Sequence, residues 1–347
     1  MAASKGDMTM PISAFIREQP GAVDRSIAAA GRFAETWLPP AFDGIALVGS
    51  GSSFNALTVA RPRFVASRRG AVLVHEPQDF VAELGHRAGR RPLVFVLSQS
   101  GASATTIAAA RAAVEAGLPT LAITAAAEAP LGATGAELLV MPVGDEPVGP
   151  KTKGFLGSVA MLMVLAEALG APPAPRLTGI GLAPLIEPAR AAAAGLAAGL
   201  AGADMLIVAG RRAHYGVALE ATLKIAEMAG LPTTGLPTEE LLHGRLHGLT
   251  ERGLAIVIAE GAEEVAEAET AAAAMARRGC RVLVMNPAGS PWLPGLALPA
   301  TPWNALGLTL PFQWLAVALA EARGLKPEVM RHGALSAELA IKTDTRP

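Results

Sequence analysis

One cysteine, one tyrosine and 4% aromatic residues in a chain of 347 are scarcities, and each closes off a class of protein. A lone Cys280 allows no internal disulfide framework and suits a reducing compartment, so a cytoplasmic setting is expected. No long basic or acidic run disturbs the balance of 29 Lys and Arg against 30 Asp and Glu. Without clustered positive charge there is no footprint for a phosphate backbone, and no nucleic-acid partner is expected. The opening MAASKGDMTMPISAF lacks the apolar core of a signal peptide. A Walker-type phosphate loop is missing too, because no Gly-Lys-Ser/Thr occurs.

Small apolar residues are what the chain has in plenty. They raise the mean hydropathy to +0.39, which invites a membrane reading. The best candidate span, 302-PWNALGLTLPFQWLAVALA-320, is interrupted by Asn304, Pro311 and Gln313. It reads as a helix buried in a protein core, and no membrane partner is expected.

Apolar runs 45-IALV-48, 72-VLV-74, 93-LVFVL-97 and 119-PTLAIT-124 fit buried parallel strands. Helical stretches such as 102–117, stopped by Gly117, lie between them. The second half restates this order with 205-MLIVAG-210, a helix over 213–230, 253-GLAIVIAEG-261, a helix over 263–279 and 281-RVLVMN-286. Val48 matches Val208 at a separation of 160 residues, and Gln99 matches Glu260 at 161. Two open α/β units are the economical reading. The Pro-rich 170-GAPPAPRLTG-179 marks their boundary, and 184–202 reads as a helix entering the second unit. The expected division is 1–172, 173–332 and a tail of 333–347.

Two apolar runs end abruptly in hydroxyls and glycines: 49-GSGSSF-54, with Ser50, Ser52 and Ser53, and 98-SQSGAS-103, with Ser98, Gln99, Ser100 and Ser103. Ligands bind outside the carboxyl ends of strands in open parallel sheets. Hydroxyls plus helix N-termini can hold an anion without cations. The plainer alternative is that these residues only cap helices. A dinucleotide fingerprint is a poor match, because Phe54 replaces the third glycine.

Together the clusters resemble the sugar isomerase (SIS) domain family, most closely the isomerase half of glucosamine-6-phosphate synthase and its stand-alone relatives. The stretch 10-MPISAFIREQPGAV-23 resembles the Met…Glu-Gln-Pro opening of those chains, GSGSSFNA their first loop and LSQSGASATT their Ser-Gln-Ser-Gly-Glu-Thr loop. Further on, 146-EPVGPKTKGF-155 resembles Glu-x-x-Val-Ala-Ser-Thr-Lys, 218-ALEATLKIAEMAG-230 their Ala-Leu-Glu…Lys-x-x-Glu helix, and 239-EELLHGRLHG-248 their Glu-Leu-x-His-Gly segment. The resemblance implies two tandem SIS domains, each an open, mainly parallel sheet flanked by helices in a flavodoxin-like three-layer sandwich. It implies a hexose 6-phosphate or amino-sugar 6-phosphate as ligand and no cofactor. Ser98, Gln99, Ser100 and Ser103 match the phosphate loop; Gly51, Ser52 and Ser53 match the first loop; Lys151 lies in the third. Glu227 matches the carboxylate that moves a proton between C1 and C2, with Lys224 and Glu220 as neighbours. His243 matches a ring-opening histidine that reaches the partner subunit, which implies a homodimer. Lys342 is the counterpart of a tail lysine that forms a Schiff base. The chain departs from the pattern at Ala102, where Glu is usual, at Lys151, where Ser is usual, and at Arg245, where Pro is common.

At 100° per residue Glu220, Lys224 and Glu227 fall within about 60° of one another, beside an apolar stripe of Leu219, Leu223 and Ala226. That spacing puts the trio at the edge of a buried face, and a solvated Glu–Lys pair is the plainer reading. Isomerisation needs one base to move a proton between adjacent carbons, and a single carboxylate serves both. His243 suits proton transfer near neutral pH. Gly244 and Gly248 make a metal-binding helical pair of His243 and His247 doubtful, and no metal is expected. Cys280 reads as a packed thiol.

Too few residues precede the first unit for a glutaminase domain. The expected activity is therefore glutamine-independent: an isomerase or deaminase converting glucosamine 6-phosphate to fructose 6-phosphate and ammonia. A fructosamine-6-phosphate deglycase and a non-catalytic sugar-phosphate sensor are the alternatives.

Overall fold

The computed structural model describes residues 10–86 and 89–343; the first nine residues and the last four of the tail lie outside them. Helix α1 (Ile12–Thr36) leads into β1 (Gly44–Gly49), α2 (Ser52–Ala66), β2 (Ala71–His75), α3 (Pro77–Glu83), β3 (Leu93–Leu97), α4 (Ala104–Glu115), β4 (Thr120–Thr124), β5 (Glu137–Val140) and α5 (Lys153–Ala168). After α6 (Gly179–Leu182), α7 (Ile186–Ala198) opens the second half. There follow β6 (Leu206–Gly210), α8 (Ala213–Ala229), β7 (Thr233–Pro237), α9 (Thr238–Leu242), β8 (Leu254–Ile258), α10 (Ala262–Ala276), β9 (Arg281–Met285), α11 (Asn304–Ala322) and α12 (Leu335–Glu338).

The strands form two all-parallel sheets, ordered β2-β1-β3-β4-β5 and β7-β6-β8-β9. Alternate residues of each strand enter different layers, as the pleat requires. Ile45, Leu47, Phe95 and Leu97, with Leu206, Val208, Ile256 and Ile258, join one continuous core spanning both halves. Ala46, Val48, Val94 and Val96 face the opposite side, with Phe80 of α3 and Ile107 of α4. Ile207, Ala209, Ala255 and Val257 do the same in the second sheet. Each half is thus a helix–sheet–helix sandwich.

This layering corrects one expectation. Val48 lies on an outer face and Val208 on an inner one, so they are not equivalents; a one-residue slip exchanges the faces of a strand. The strand ends set the offset instead. Gly49 pairs with Leu97 and Gly210 with Ile258, 161 residues apart in each case, in line with Gln99 and Glu260.

Helices α2 and α8 pack on each other and join the halves; α5 covers α1 and α2, and α11 covers α7 and α8. Helix α11 is apolar and long enough to cross a membrane, yet 83% of its most apolar window is buried inside the fold. Gly216 permits the α2–α8 contact: a Cβ there would lie 2.5 Å from Val59 N and 2.8 Å from Asn55 O. In an open helix Gly→Ala stabilises by about 0.5–1 kcal/mol. Here overpacking costs about 1–3 kcal/mol, so Gly216→Ala lowers stability in urea unfolding. A variant as stable as the parent shows that the helices do not meet there.

Candidate active site

In the order β2-β1-β3-β4-β5 the chain reverses direction between β1 and β3, where a crevice opens at the carboxyl ends of the strands. The two Ser-rich loops flank that crevice. The 98–103 loop is built by its own backbone: Gly101 N donates to Ser98 O at 3.0 Å, Ala125 N to Gln99 O at 2.9 Å and Leu131 N to Gly101 O at 3.0 Å. Gly101 has φ +63°, a conformation that favours glycine. The capping alternative does not describe these hydroxyls. Ser103 stands at the N-cap of α4 and Gly51 at that of α2, and neither gives a side-chain cap. Ser103 Oγ accepts from Thr106 at 2.9 Å, and Ser100 Oγ accepts from Ala102 N at 3.3 Å.

Across the crevice, α8 presents the charged trio, and its burial differs from the expected edge position. The side chains of Glu220 and Lys224 are 0% and 2% exposed and that of Glu227 23%, whereas Leu219 and Leu223 are only half-buried and Ala226 is exposed. A helix held between α2 and α11 has two covered faces, which a single-stripe reading does not foresee. The surface-pair reading is therefore excluded. Glu220 accepts from Ser52 Oγ at 3.0 Å and Asn55 Nδ2 at 2.9 Å, and lies 3.5 Å from Lys224 Nζ. Lys224 Nζ also donates to Glu227 Oε2 at 2.5 Å. Burial raises the Glu220 pKa above the ordinary carboxylate value, against the pull of Lys224 and Asn55. Burial opposes the Lys224 charge as well, but Glu220 and Glu227 together hold its pKa above the ordinary lysine value. A lysine placed between two carboxylates favours its own proton.

The cations absent from the loops arrive from distant segments. Glu146 accepts from Thr152 N and Oγ1 at 2.6 and 2.7 Å, and Lys151 Nζ donates to the Glu146 carbonyl. Burial lowers the Lys151 pKa; Glu146 offsets this in part, while Lys342, Lys224 and Lys153 add to it. The tail folds back onto the first half. Glu328 accepts from Ile12 N at 3.0 Å; Ser103 and Lys342 form an antiparallel bridge; Ala104 N donates to Ile341 O at 3.0 Å and Thr343 N to Ala102 O at 2.8 Å. Lys342 is thus brought to the 98–103 loop.

His243 is not brought in. Its side chain is 73% exposed and pairs with Glu239 at 3.0 Å. It follows β7, roughly 17 Å of strand beyond the C-terminal end of α8. Asn55 and Glu146 belong to the site but were not singled out from sequence. Asn55 was legible in principle, lying three residues from Ser52 on one helical face.

The second sheet edge carries different chemistry. Arg212 takes the place of Gly51 with the same backbone turn (φ 52°, ψ −119°, against φ 55°, ψ −130°). His214 replaces Ser53, and Glu260, which accepts from Asn304 at 2.8 Å, replaces Gln99. Arg211 and Arg212 are paired with Glu267 and Glu264. Among the described residues, only the first edge has a hydroxyl-lined loop.

A family model described as the SIS domain matches residues 43–168 and 199–292, one segment for each sheet. The chain belongs to the SIS domain family. A glutamine–fructose-6-phosphate aminotransferase (isomerizing) of Acidithiobacillus ferridurans is 31% identical over 62% of this chain and 37% of its own. The chain spans between 36% and 53% of the length of eight such curated relatives. Among solved structures, a glucosamine-6-phosphate deaminase of Thermotoga maritima shares the fold with TM-score 0.74 at 20% identity, covering 91% of this chain and 98% of that one. A tagatose-6-phosphate ketose/aldose isomerase of Escherichia coli gives 0.71 at 20%, covering 95% and 96%. The C-terminal domain of a glucosamine-fructose-6-phosphate aminotransferase of Francisella tularensis gives 0.75 at 19%, covering 93% and 98%.

Lys151 yields a test of whether an anion binds beside it. Its pKa lies below 10.5 in the free protein, and a neighbouring phosphate dianion raises it again. Within the window between the lowered value and 10.5, binding therefore takes up protons; well below it, Lys151 is charged in both states and contributes nothing. Calorimetry of fructose 6-phosphate binding in two buffers of unlike ionisation heat should show this uptake in the parent and not in Lys151→Met. Its absence in the parent places Lys151 away from the anion.

Proposed function

We propose that this chain is an aldose–ketose isomerase and deaminase of amino-sugar 6-phosphates, converting glucosamine 6-phosphate and water to fructose 6-phosphate and ammonia. What supports the reading is a chain of contacts: Ser52 of the first loop donates to Glu220, Lys224 lies between Glu220 and Glu227, and Lys342 bridges Ser103 of the second loop. The 6-phosphate is held by Ser98, Gln99, Ser100 and Ser103, with Gly51, Ser52 and Ser53 and the ammonium of Lys151 nearby.

Glu227 is the base. Glu220 is fully buried and already engaged by Ser52, Asn55 and Lys224, whereas Glu227 keeps part of its carboxylate open. Once the ring is open, Glu227 takes the proton from C2 of the aldehyde form, giving an enolamine, and returns it to C1. The product is an imine at C2. Water adds there and ammonia leaves, or Lys342 first displaces ammonia as a Schiff base that water then cleaves. Lys224, which donates to Glu227 Oε2, holds that carboxyl group in place for both transfers.

Ring opening falls to His243, which a strand's length of β7 keeps from the Glu227 of its own chain. A second copy would supply it, which makes the protein a homodimer with shared sites. Mixing inactive Glu227→Gln and His243→Ala proteins should then restore part of the activity by giving one intact site per mixed dimer. No recovery after subunit exchange overturns the shared site.

Glu227→Gln also separates enzyme from sensor. The variant should still bind fructose 6-phosphate but lose turnover by about 10²–10⁴-fold, the usual contribution of a positioned base. Exchange of the C1 or C2 hydrogen with deuterated water should fall with it. A parent protein that binds a sugar phosphate yet shows neither turnover nor exchange is a sensor.

A further inference from the structure

Glycine at position 154 has no local justification. It is the second residue of the 16-residue α5, and its backbone is ordinary helix, where glycine is disfavoured relative to alanine. What it provides is space. A Cβ there would lie 2.0 Å from Cδ and Nε2 of Gln99 and 2.1 Å from its Oε1, so the Gln99 amide lies against the bare Cα. The same amide donates from Nε2 to Glu146 Oε2 at 3.4 Å. The Glu146 carboxylate is itself fixed by Thr152 N and Oγ1 at 2.6 and 2.7 Å, by Lys153 N at 3.2 Å and by Gly154 N at 3.3 Å. A carboxylate that accepts from all these donors can meet only the NH2 end of an amide. That settles which way Gln99 points and leaves the second N–H of the same nitrogen for a ligand.

We propose that Gly154 and Glu146 are positioning residues that hold the Gln99 amide ready for the substrate phosphate, Gly154 by leaving its slot empty and Glu146 by fixing its orientation. This rests on the reading that the 98–103 loop binds phosphate. Gly154→Ala is the direct test, because alanine suits the helix itself. The variant should unfold at the same temperature as the parent or higher. It should bind fructose 6-phosphate roughly tenfold more weakly in calorimetry, the loss of one hydrogen bond to a charged group. The Gln99→Ala background supplies the control: with the amide gone the added methyl has room, and Gly154→Ala should change the affinity no further. Equal weakening in both backgrounds, unchanged affinity, or loss of folding in the Gln99→Ala background overturns the proposal. If the parent binds neither fructose 6-phosphate, glucosamine 6-phosphate nor inorganic phosphate, the phosphate reading fails and this one with it. Binding by the parent without coupling between positions 99 and 154 defeats this one alone.

Discussion

The buried carboxylate of Glu220 fixes the geometry of the whole site. A carboxylate without access to water must find donors inside the protein, and Glu220 takes them from both halves: Ser52 and Asn55 on α2, Lys224 on its own helix. Such a network adds little stability over a well-packed apolar contact, but losing one partner costs about 3–5 kcal/mol. It therefore penalises any sliding of α8 along α2, since one turn of 5.4 Å separates the carboxylate from both of its α2 donors. With α8 held in register, Lys224 is turned to Glu227, which stays partly exposed.

The same sandwich occurs twice, yet the two sheet edges carry different groups. At the first edge, Gly51, Ser53 and Gln99 form a polar, uncharged rim that an anion can enter. At the second, Arg212, His214 and Glu260 occupy the equivalent positions and their charges are matched within the protein. Arg212 even retains the positive-φ turn of Gly51, a conformation that costs a side-chain-bearing residue about 1–3 kcal/mol. The turn follows from the fold, and the chemistry from the side chains on it. The second half contributes instead through α8 and the tail, which approach the first edge from the open side.

Much of this was legible in the amino-acid order. Continuous apolar runs mark the central strands, because a strand covered on both faces has no polar alternation. The hydroxyl clusters mark the crevice, because they stand at the carboxyl ends of two such runs. Edge strands β5 and β7 left no such trace: Glu137–Val140 is partly exposed, and Thr233–Pro237 is short, polar and closed by proline. The helical wheel grouped Glu220, Lys224 and Glu227 correctly but placed them at an edge, since periodicity along one helix cannot reveal how many neighbours cover it.

Sequence by itself therefore determined the two α/β units, their alternation of central strands and helices, the buried nature of α11 and the residue types at the first sheet edge. Those are consequences of local pattern, in which each segment's partition between water and core is written in its own side chains. Tertiary structure alone decided that Lys342 meets Ser103, that Thr343 bonds Ala102 across 241 residues of chain, that Glu146 reaches Gln99, and that His243 stays outside the site of its own chain. Contacts of that kind depend on how whole helices and sheets pack, and no local pattern fixes them in advance.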